Sequence, residues 1–280
     1  MSSILHVSDV HFGPPHRGEV AEGILRLIEE RQPDLVVISG DLTQRAKPEQ
    51  FQACRRWVDR IAVPTLAVPG NHDVPLWPVP RLWERLMDPL GAYRRHFSAD
   101  LEPVFSGAGL LVAGINTAYN FTTKHGRFLL PRLREVAEIF ATAPPEVTKV
   151  VVAHHHLVPP PGFGSQRVST NSYEAMDVFT AAGVDLVLSG HNHHAYVYSS
   201  EQFYRFGRPS TLIVHSGTSC SSRGRAIERG RNTCYWLRVE DEAMGVDLLQ
   251  WEDGEGSDDG RFVERSCHRL PRRQQPFRVG

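Results

Sequence analysis

Short apolar runs alternate along this chain with stretches whose apolar residues recur at helical spacing. Ile4 to Ser8 reads as a first strand. Val20, Ile24, Leu27 and Ile28 then fall three or four residues apart, which predicts a helix broken at Pro33-Asp34. Leu35-Val36-Val37-Ile38 is a continuous apolar run, the pattern of a strand buried on both faces. Phe51, Cys54, Val58 and Ile61 mark a second helix, and Thr65 to Val68 a third strand closed by Pro69-Gly70. Strand, helix and strand in this order predict parallel pairing with helices packed outside.

The middle of the chain is less regular. Val74 to Trp83 is rich in proline and tryptophan, after which helical spacing resumes through His96. Leu110 to Ile115 reads as a strand, Leu129 to Phe140 as a helix, and Val147 to Ala153 as a strand. A Pro/Gly-rich loop (Pro159 to Gly164) leads to a short helix at Tyr173 to Ala181 and a strand at Val184 to Ser189. From there the pattern changes. Tyr196 to Ser199, Leu212 to Ser216, Thr233 to Val239 and Val246 to Trp251 read as antiparallel strands joined by turns. Residues 252–260 read as an exposed loop, and the Arg-rich segment after Arg261 as a loosely ordered tail. These signals predict an α/β chain with one domain over residues 1–260 and a basic tail over 261–280.

Composition narrows the class. The formal net charge is −1, with both signs mixed along the chain, which points away from a nucleic-acid partner. No apolar run reaches membrane-spanning length, and the N-terminus lacks a basic region followed by an apolar stretch. Cys54, Cys220, Cys234 and Cys267 are widely spaced, so they read as reduced thiols of a cytoplasmic protein. Self-association is left open.

Five apolar runs end in metal-ligand residue types: Asp9-Val10-His11, Gly40-Asp41, Gly70-Asn71-His72-Asp73, His154-His155-His156 and Gly190-His191-Asn192-His193-His194. Eight of the chain's 14 histidines fall inside these segments, so histidine is concentrated where strands end. Ligands at strand ends of an α/β sheet sit where such folds place their chemistry. Carboxylate oxygen, amide oxygen and imidazole nitrogen suit hard or borderline divalent ions. Asp9 and His11 are two apart and can grip one ion, as can His191 and His193. Asp41 is the only acidic residue directly after its strand, and a single carboxylate can bridge two ions. Asn71 offers a neutral oxygen. Seven ligands with one shared is the count needed for two metals with positions open to water and substrate.

Each segment alone is a weak signal. Gly-Asn favours a turn, and an Asp after a strand often caps the next helix. In order, however, the five closely resemble the signature of the calcineurin-like metallophosphoesterases: Asp-x-His, Gly-Asp, Gly-Asn-His-Asp/Glu, a strand-end His and Gly-His-x-His. The resemblance runs from residue 4 to about residue 195. It implies a four-layer sandwich, two facing mixed β-sheets flanked by helices, with a dinuclear site on the strand-end loops. It also implies two divalent ions (Mn, Fe or Zn), with Asp9, His11 and His193 holding one. Asn71, His191 and one histidine of the triplet would hold the other, and Asp41 would bridge. The ions would lie roughly 3.5–4 Å apart, and a hydroxide bridging them would attack phosphorus in line. His72 would stand beside the phosphate as a catalytic group, and Asp73 would orient His72 or its loop.

The chain departs from the family's usual His-His-Pro, having His154-His155-His156-Leu157 instead. Either the proline has become His156 and His154 is the ligand, or a residue is inserted and His155 takes that role. His154 is the expected ligand. The implied activity is hydrolysis of a small phosphoester, with a phosphodiester favoured and a cyclic nucleotide suggested by chain length and by His125-Gly126, which resembles a loop of the family's cyclic-nucleotide phosphodiesterases. Alternatives within the fold are a phosphomonoesterase, a nuclease and a metal-free scaffold. A metallo-β-lactamase-type zinc hydrolase would need an Asp-His pair just after His-x-His, whereas His194-Ala195 stands here. Ser219 to Arg223 reads as a turn, and Arg223, Arg225, Arg229 and Arg231 as a solvated loop able to meet a polyanion. Trp77 and Trp83 are candidates for a cap over the site.

Overall fold

The computed structural model describes residues 1–76, 82–120, 125–161, 168–224, 229–254 and 260–271. In chain order the strands and helices are β1 (Ser2–Val7), α1 (Gly18–Arg31), β2 (Leu35–Ile38), α2 (Pro48–Val58), β3 (Thr65–Ala67), α3 (Leu82–Met87), α4 (Gly91–His96), β4 (Val104–Gly107), β5 (Leu110–Ile115), α5 (Leu130–Ala141), β6 (Thr148–Ala153), α6 (Ser172–Ala182), β7 (Leu186–Ser189), β8 (Tyr196–Ser199), β9 (Leu212–His215), β10 (Thr233–Val239), β11 (Ala243–Glu252) and β12 (Arg261–Pro271). They form two sheets, ordered β12-β11-β10-β1-β2-β3 and β4-β5-β6-β7-β9-β8. Both are mixed. In the first, β1, β2 and β3 run parallel and β10 joins β1 antiparallel. In the second, β5, β6, β7 and β9 run parallel, with β4 and β8 antiparallel at the edges.

The twofold period of each strand divides its side chains between two cores. Ile4, Leu35, Val37, Val150, Val152, Leu186 and Leu188 pack between the sheets. Leu5 and Val7 face outward, where α1 and α2 bury Ile24, Ile28, Phe51 and Cys54 against them. Val151 and Ala153 face the other way, toward Leu133, Val136 and Phe140 of α5 and Met176 and Phe179 of α6. Helix, sheet, sheet and helix give the expected four layers. Each fully buried Leu, Ile or Phe contributes roughly 1.5–3 kcal/mol, which explains why central strands read as unbroken apolar runs.

Two expectations change and one strand was not anticipated. The Leu212 strand is parallel to β7 and antiparallel only to β8. The short strand β4, with two exposed and two half-buried residues, carries no apolar run to announce it. The expected loose tail does not hold for residues 261–271, which pair along the length of β11. β12 is an edge strand whose Arg and Glu side chains face water, so its sequence reads as a polar tail. No helix among the described residues is long and apolar enough to cross a membrane.

Register brings the loops together. Val7 pairs with Ile38 and Ile38 with Ala67, so the segments after β1, β2 and β3 leave the first sheet side by side. Val152 pairs with Leu188, so those after β6 and β7 leave the second sheet at neighbouring points.

Candidate metal centre

All seven expected ligands converge at this end of the two sheets. Asp9, His11, Asp41 and His193 each place a ligand atom within 4.8 Å of the others, and all four are buried. His193 Nε2 lies 3.1 Å from Asp9 Oδ1. His11 Nε2 lies 3.6 Å from Asp9 Oδ1 and 3.8 Å from Asp41 Oδ2. Beside this group, His154 Nε2 is 3.3 Å from Asp41 Oδ1 and 3.2 Å from Asn71 Oδ1. His191 Nδ1 is 2.8 Å from the same Asn71 oxygen. His154, not His155, therefore meets both Asp41 and Asn71.

The backbone bends to make this possible. Asp9, His11, Asp41, His191 and His193 all have positive φ, a conformation that non-glycine residues rarely adopt outside sites that need it. Gly40 has φ +95°, and a Cβ there would lie 2.5 Å from His154 Nδ1. A Cβ on Gly70 would lie 2.2 Å from Asp41 Oδ1. The motif glycines are thus the places where one ligand's loop touches another ligand.

Backbone carbonyls set the tautomers. His154 Nδ1 is 2.8 Å from the Ser39 carbonyl and His193 Nδ1 is 2.9 Å from that of Arg223. His11 Nδ1 approaches the Thr43 carbonyl at 3.4 Å. A ring that donates its Nδ1 proton to a carbonyl presents Nε2 inward, bare when the ring is neutral, as for His11. Two such lone pairs, His11 Nε2 and His193 Nε2, then face one another at 3.1 Å. Asp9 Oδ2 accepts from the Ser8 hydroxyl and the His191 amide, whereas Oδ1 is buried without a hydrogen-bond partner among the described residues. Opposed lone pairs beside an unsatisfied carboxylate oxygen fit a cation.

Charge states agree. Burial alone would raise the Asp9 carboxyl, but His193 and His11 hold it well below the usual carboxylate range. Burial is likewise outweighed at Asp41, which His154 and His72 hold low. Burial lowers His11 to about 4 and drives His191 well down. Burial would also lower His154, yet the carboxylates of Asp41 and Asp9 raise it to about 9. The two carboxylates are ionised and His11 and His191 neutral at pH 7, the forms a metal requires. His154 holds a proton that a cation would displace.

His72 stands on the solvent side, half-buried, its ring edge-on to His11 at 4.9 Å between centroids. Its amide donates to Asp41 Oδ1 and its Nδ1 meets the Gln44 carbonyl at 2.9 Å, leaving Nε2 without a ligand role in either group. Burial and the charge of Arg223 lower its pKa. Asp73 does not touch the His72 ring. It is fully buried and accepts from the amides of Leu42, Thr43 and Gly70 and from the Thr43 hydroxyl, tying the loop after β2 to the loop after β3. These bonds hold the loop that carries His72.

The segment read as a turn proves part of the seat. Thr218 donates its hydroxyl to the Asp9 carbonyl at 2.8 Å, Ser219 Oγ accepts the Ser8 amide at 3.0 Å, and Arg223 holds His193. A Ser/Thr-rich run directly after β9 is the only sequence signal that marks it. His6 and His215 were also missed. Both are buried, and each is 2.8 Å from a serine that precedes a motif glycine, Ser39 and Ser189 respectively. Trp83 is largely exposed on α3, and His125 is exposed. Trp77 and Arg225 lie outside the described residues.

Comparison with known proteins agrees with this geometry. The family model described as calcineurin-like phosphoesterase matches residues 2–195. A probable cyclic nucleotide phosphodiesterase from Synechococcus sp. is 26% identical over 230 residues, covering 79% of this chain and 83% of that protein. A dimetal phosphatase from Danio rerio superposes with a TM-score of 0.62 at 11% identity, covering 96% of this chain and 98% of the other. A purple acid phosphatase from yellow lupin superposes with a TM-score of 0.69 at 14% identity over 96% of this chain, which spans 53% of the plant protein. The two superpositions bear on the fold.

Proposed function

The chain belongs to the calcineurin-like phosphoesterase family and is a phosphoric ester hydrolase, and from that premise we propose that it hydrolyses a phosphodiester, a cyclic nucleotide being the favoured substrate. The family and its dimetal relatives imply a dinuclear divalent metal site. In our reading Asp9, His11 and His193 hold one ion, Asn71, His154 and His191 hold the other, and Asp41 serves both. One observation carries this division: Asp41 turns Oδ2 toward His11 and Oδ1 toward His154, so its two oxygens face different groups. Manganese, iron and zinc all suit the mixed nitrogen and oxygen donors.

When bound, the cations would supply Lewis acidity toward a phosphoryl group and acidify water. The protein groups do the rest. Asp9 and Asp41 contribute two negative charges, and Asn71 adds an oxygen without a third. Two divalent ions in that set retain net positive charge for an anionic phosphoester. His72 donates Nδ1–H to the Gln44 carbonyl, which leaves Nε2 as the nitrogen available to substrate. The negative charge of a bound phosphate favours a proton on that nitrogen, where it can stabilise a phosphoryl oxygen or protonate the leaving alkoxide. Arg223 brings a further positive charge that His72 already feels.

The substrate preference rests on the cyanobacterial relative, whose name describes a phosphodiesterase. Turnover of 3′,5′-cyclic nucleotides, bis-p-nitrophenyl phosphate and p-nitrophenyl phosphate by manganese-loaded protein tests it. Diesters should give the higher kcat/KM. A monoester preferred over every diester would reverse the substrate assignment while leaving the reaction type intact.

A further inference from the structure

His155 is one of the two triplet residues that the two-ion division leaves without work. Its side chain is fully buried. Nδ1 lies 2.7 Å from the Thr117 hydroxyl, just past the end of β5. Nε2 has no hydrogen-bond partner among the described residues. A buried imidazole nitrogen without a partner is costly, and native structures retain few of them. The ring is not free to turn away. A Cβ on Gly126 would lie 2.3 Å from His155 Cγ, so that glycine packs directly on the imidazole. On the other side the ring meets His191 at 4.7 Å and His154 at 4.8 Å between centroids. One ligand nitrogen from each of His154, His155 and His191 falls within a mutual 4.8 Å. His156 lies outside that group; its Nδ1 meets the Asn192 amide at 3.1 Å and its ring stacks on His191.

We propose that His155 Nε2 is an additional donor to the second ion, joining Asn71, His154, His191 and the shared Asp41. The inference rests on the two-ion reading above. Thr117 then plays for His155 the part that the Ser39 carbonyl plays for His154: it takes the Nδ1 proton and leaves the Nε2 lone pair inward. The consequence is asymmetry. The first position has two imidazoles and two carboxylates, whereas the second has three imidazoles, one amide oxygen and the shared carboxylate. A nitrogen-rich set favours a later first-row ion, and an oxygen-rich set tolerates manganese. The two positions should therefore differ in affinity for zinc more than for manganese.

Metal-stripped protein titrated with cobalt(II) and zinc(II), against a competing chelator, tests this without any activity readout. Wild type should bind two ions. His155→Phe, which keeps a ring against Gly126 but offers no donor, should weaken one ion by 10-fold or more, change the visible cobalt spectrum, and leave the other ion's affinity unchanged. The retained first ion reports that the variant is folded. Thr117→Val, which removes the hydroxyl that both His155 Nδ1 and the His155 amide meet, should weaken the same ion by roughly 10–100-fold. Wild-type affinities and an unchanged cobalt spectrum in His155→Phe overturn the proposal and leave the two-ion reading standing. If His155→Phe does not fold, unaltered metal binding by Thr117→Val overturns it. Fewer than two ions on wild type would remove the two-ion reading itself.

Discussion

Replacing Gly40 with alanine adds one methyl group, and the structure says where it goes. The residue has φ +95°, and the new Cβ would stand 2.5 Å from His154 Nδ1, 2.7 Å from Cγ and 2.8 Å from Cβ. All three atoms belong to the root of one side chain, so no flexible end can swing aside. His154 is fully buried and bonded to the Ser39 carbonyl at 2.8 Å. Ordinary contact begins near 3.4 Å, so the imidazole must retreat by about 0.9 Å. An L-residue at positive φ costs about 1–2 kcal/mol, and forcing a packed side chain off its seat about 1–3 kcal/mol. A total of about 2–5 kcal/mol corresponds to a fall in Tm of roughly 3–9 °C for a chain of this size. The same retreat carries Nε2 away from Asp41 and Asn71, so the second ion should bind roughly 10–100-fold more weakly. Thermal unfolding of the chelated protein reads the first effect, and competition against a metal indicator reads the second. Gly18→Ala is the control: a Cβ there meets nothing within 4 Å, and stability should change by less than about 0.5 kcal/mol. A Gly40→Ala variant with wild-type Tm and two tightly held ions would refute the reasoning.

Asp41→Ala should lose both ions, because its two oxygens face the two groups; metal analysis that finds one ion retained at full affinity would show that it does not bridge. His72→Ala should keep both ions and lose about 10²–10⁴ in kcat, the usual scale for a proton-transfer group; full activity would remove it from the chemistry. Acid stability supplies a pH test on the metal-free protein. Burial lowers His6 from 6.5 to about 3, so the unfolded chain binds more protons between those values and stability rises with pH across that window. His6→Gln should flatten the slope of unfolding free energy between about pH 3 and 6.5, with His11 sustaining part of it; an unchanged slope in urea titrations would show that His6 is already charged in the native state.

Much of the fold was legible because the central strands are buried on both faces. Leu35 to Ile38 has one side toward the sheet interface and one toward the helices, so apolarity is continuous and its end is sharp. The ligand segments stand out against those ends. β12 was opaque for the opposite reason: an edge strand with little buried surface needs no apolar pattern. The direction of β9 depends on which strand it lies beside, and His215 reaches Ser189 only through that parallel pairing. The orienting bonds were hidden as well. Ser39, Thr43, Gln44 and Arg223 hold imidazoles through their carbonyls, and a backbone acceptor leaves no trace in residue identity. The same limit applied to the triplet. Sequence spacing allowed His154 or His155, and what separates them is that His154 meets Asp41 and Asn71, residues far away along the chain.

Metal-stripped protein should be titrated with manganese while initial hydrolysis of bis-p-nitrophenyl phosphate is followed. The dinuclear assignment predicts negligible turnover without metal and a rate that climbs until two equivalents are bound, then levels off. A rate that saturates at one equivalent, or turnover that survives complete removal of metal, would contradict it.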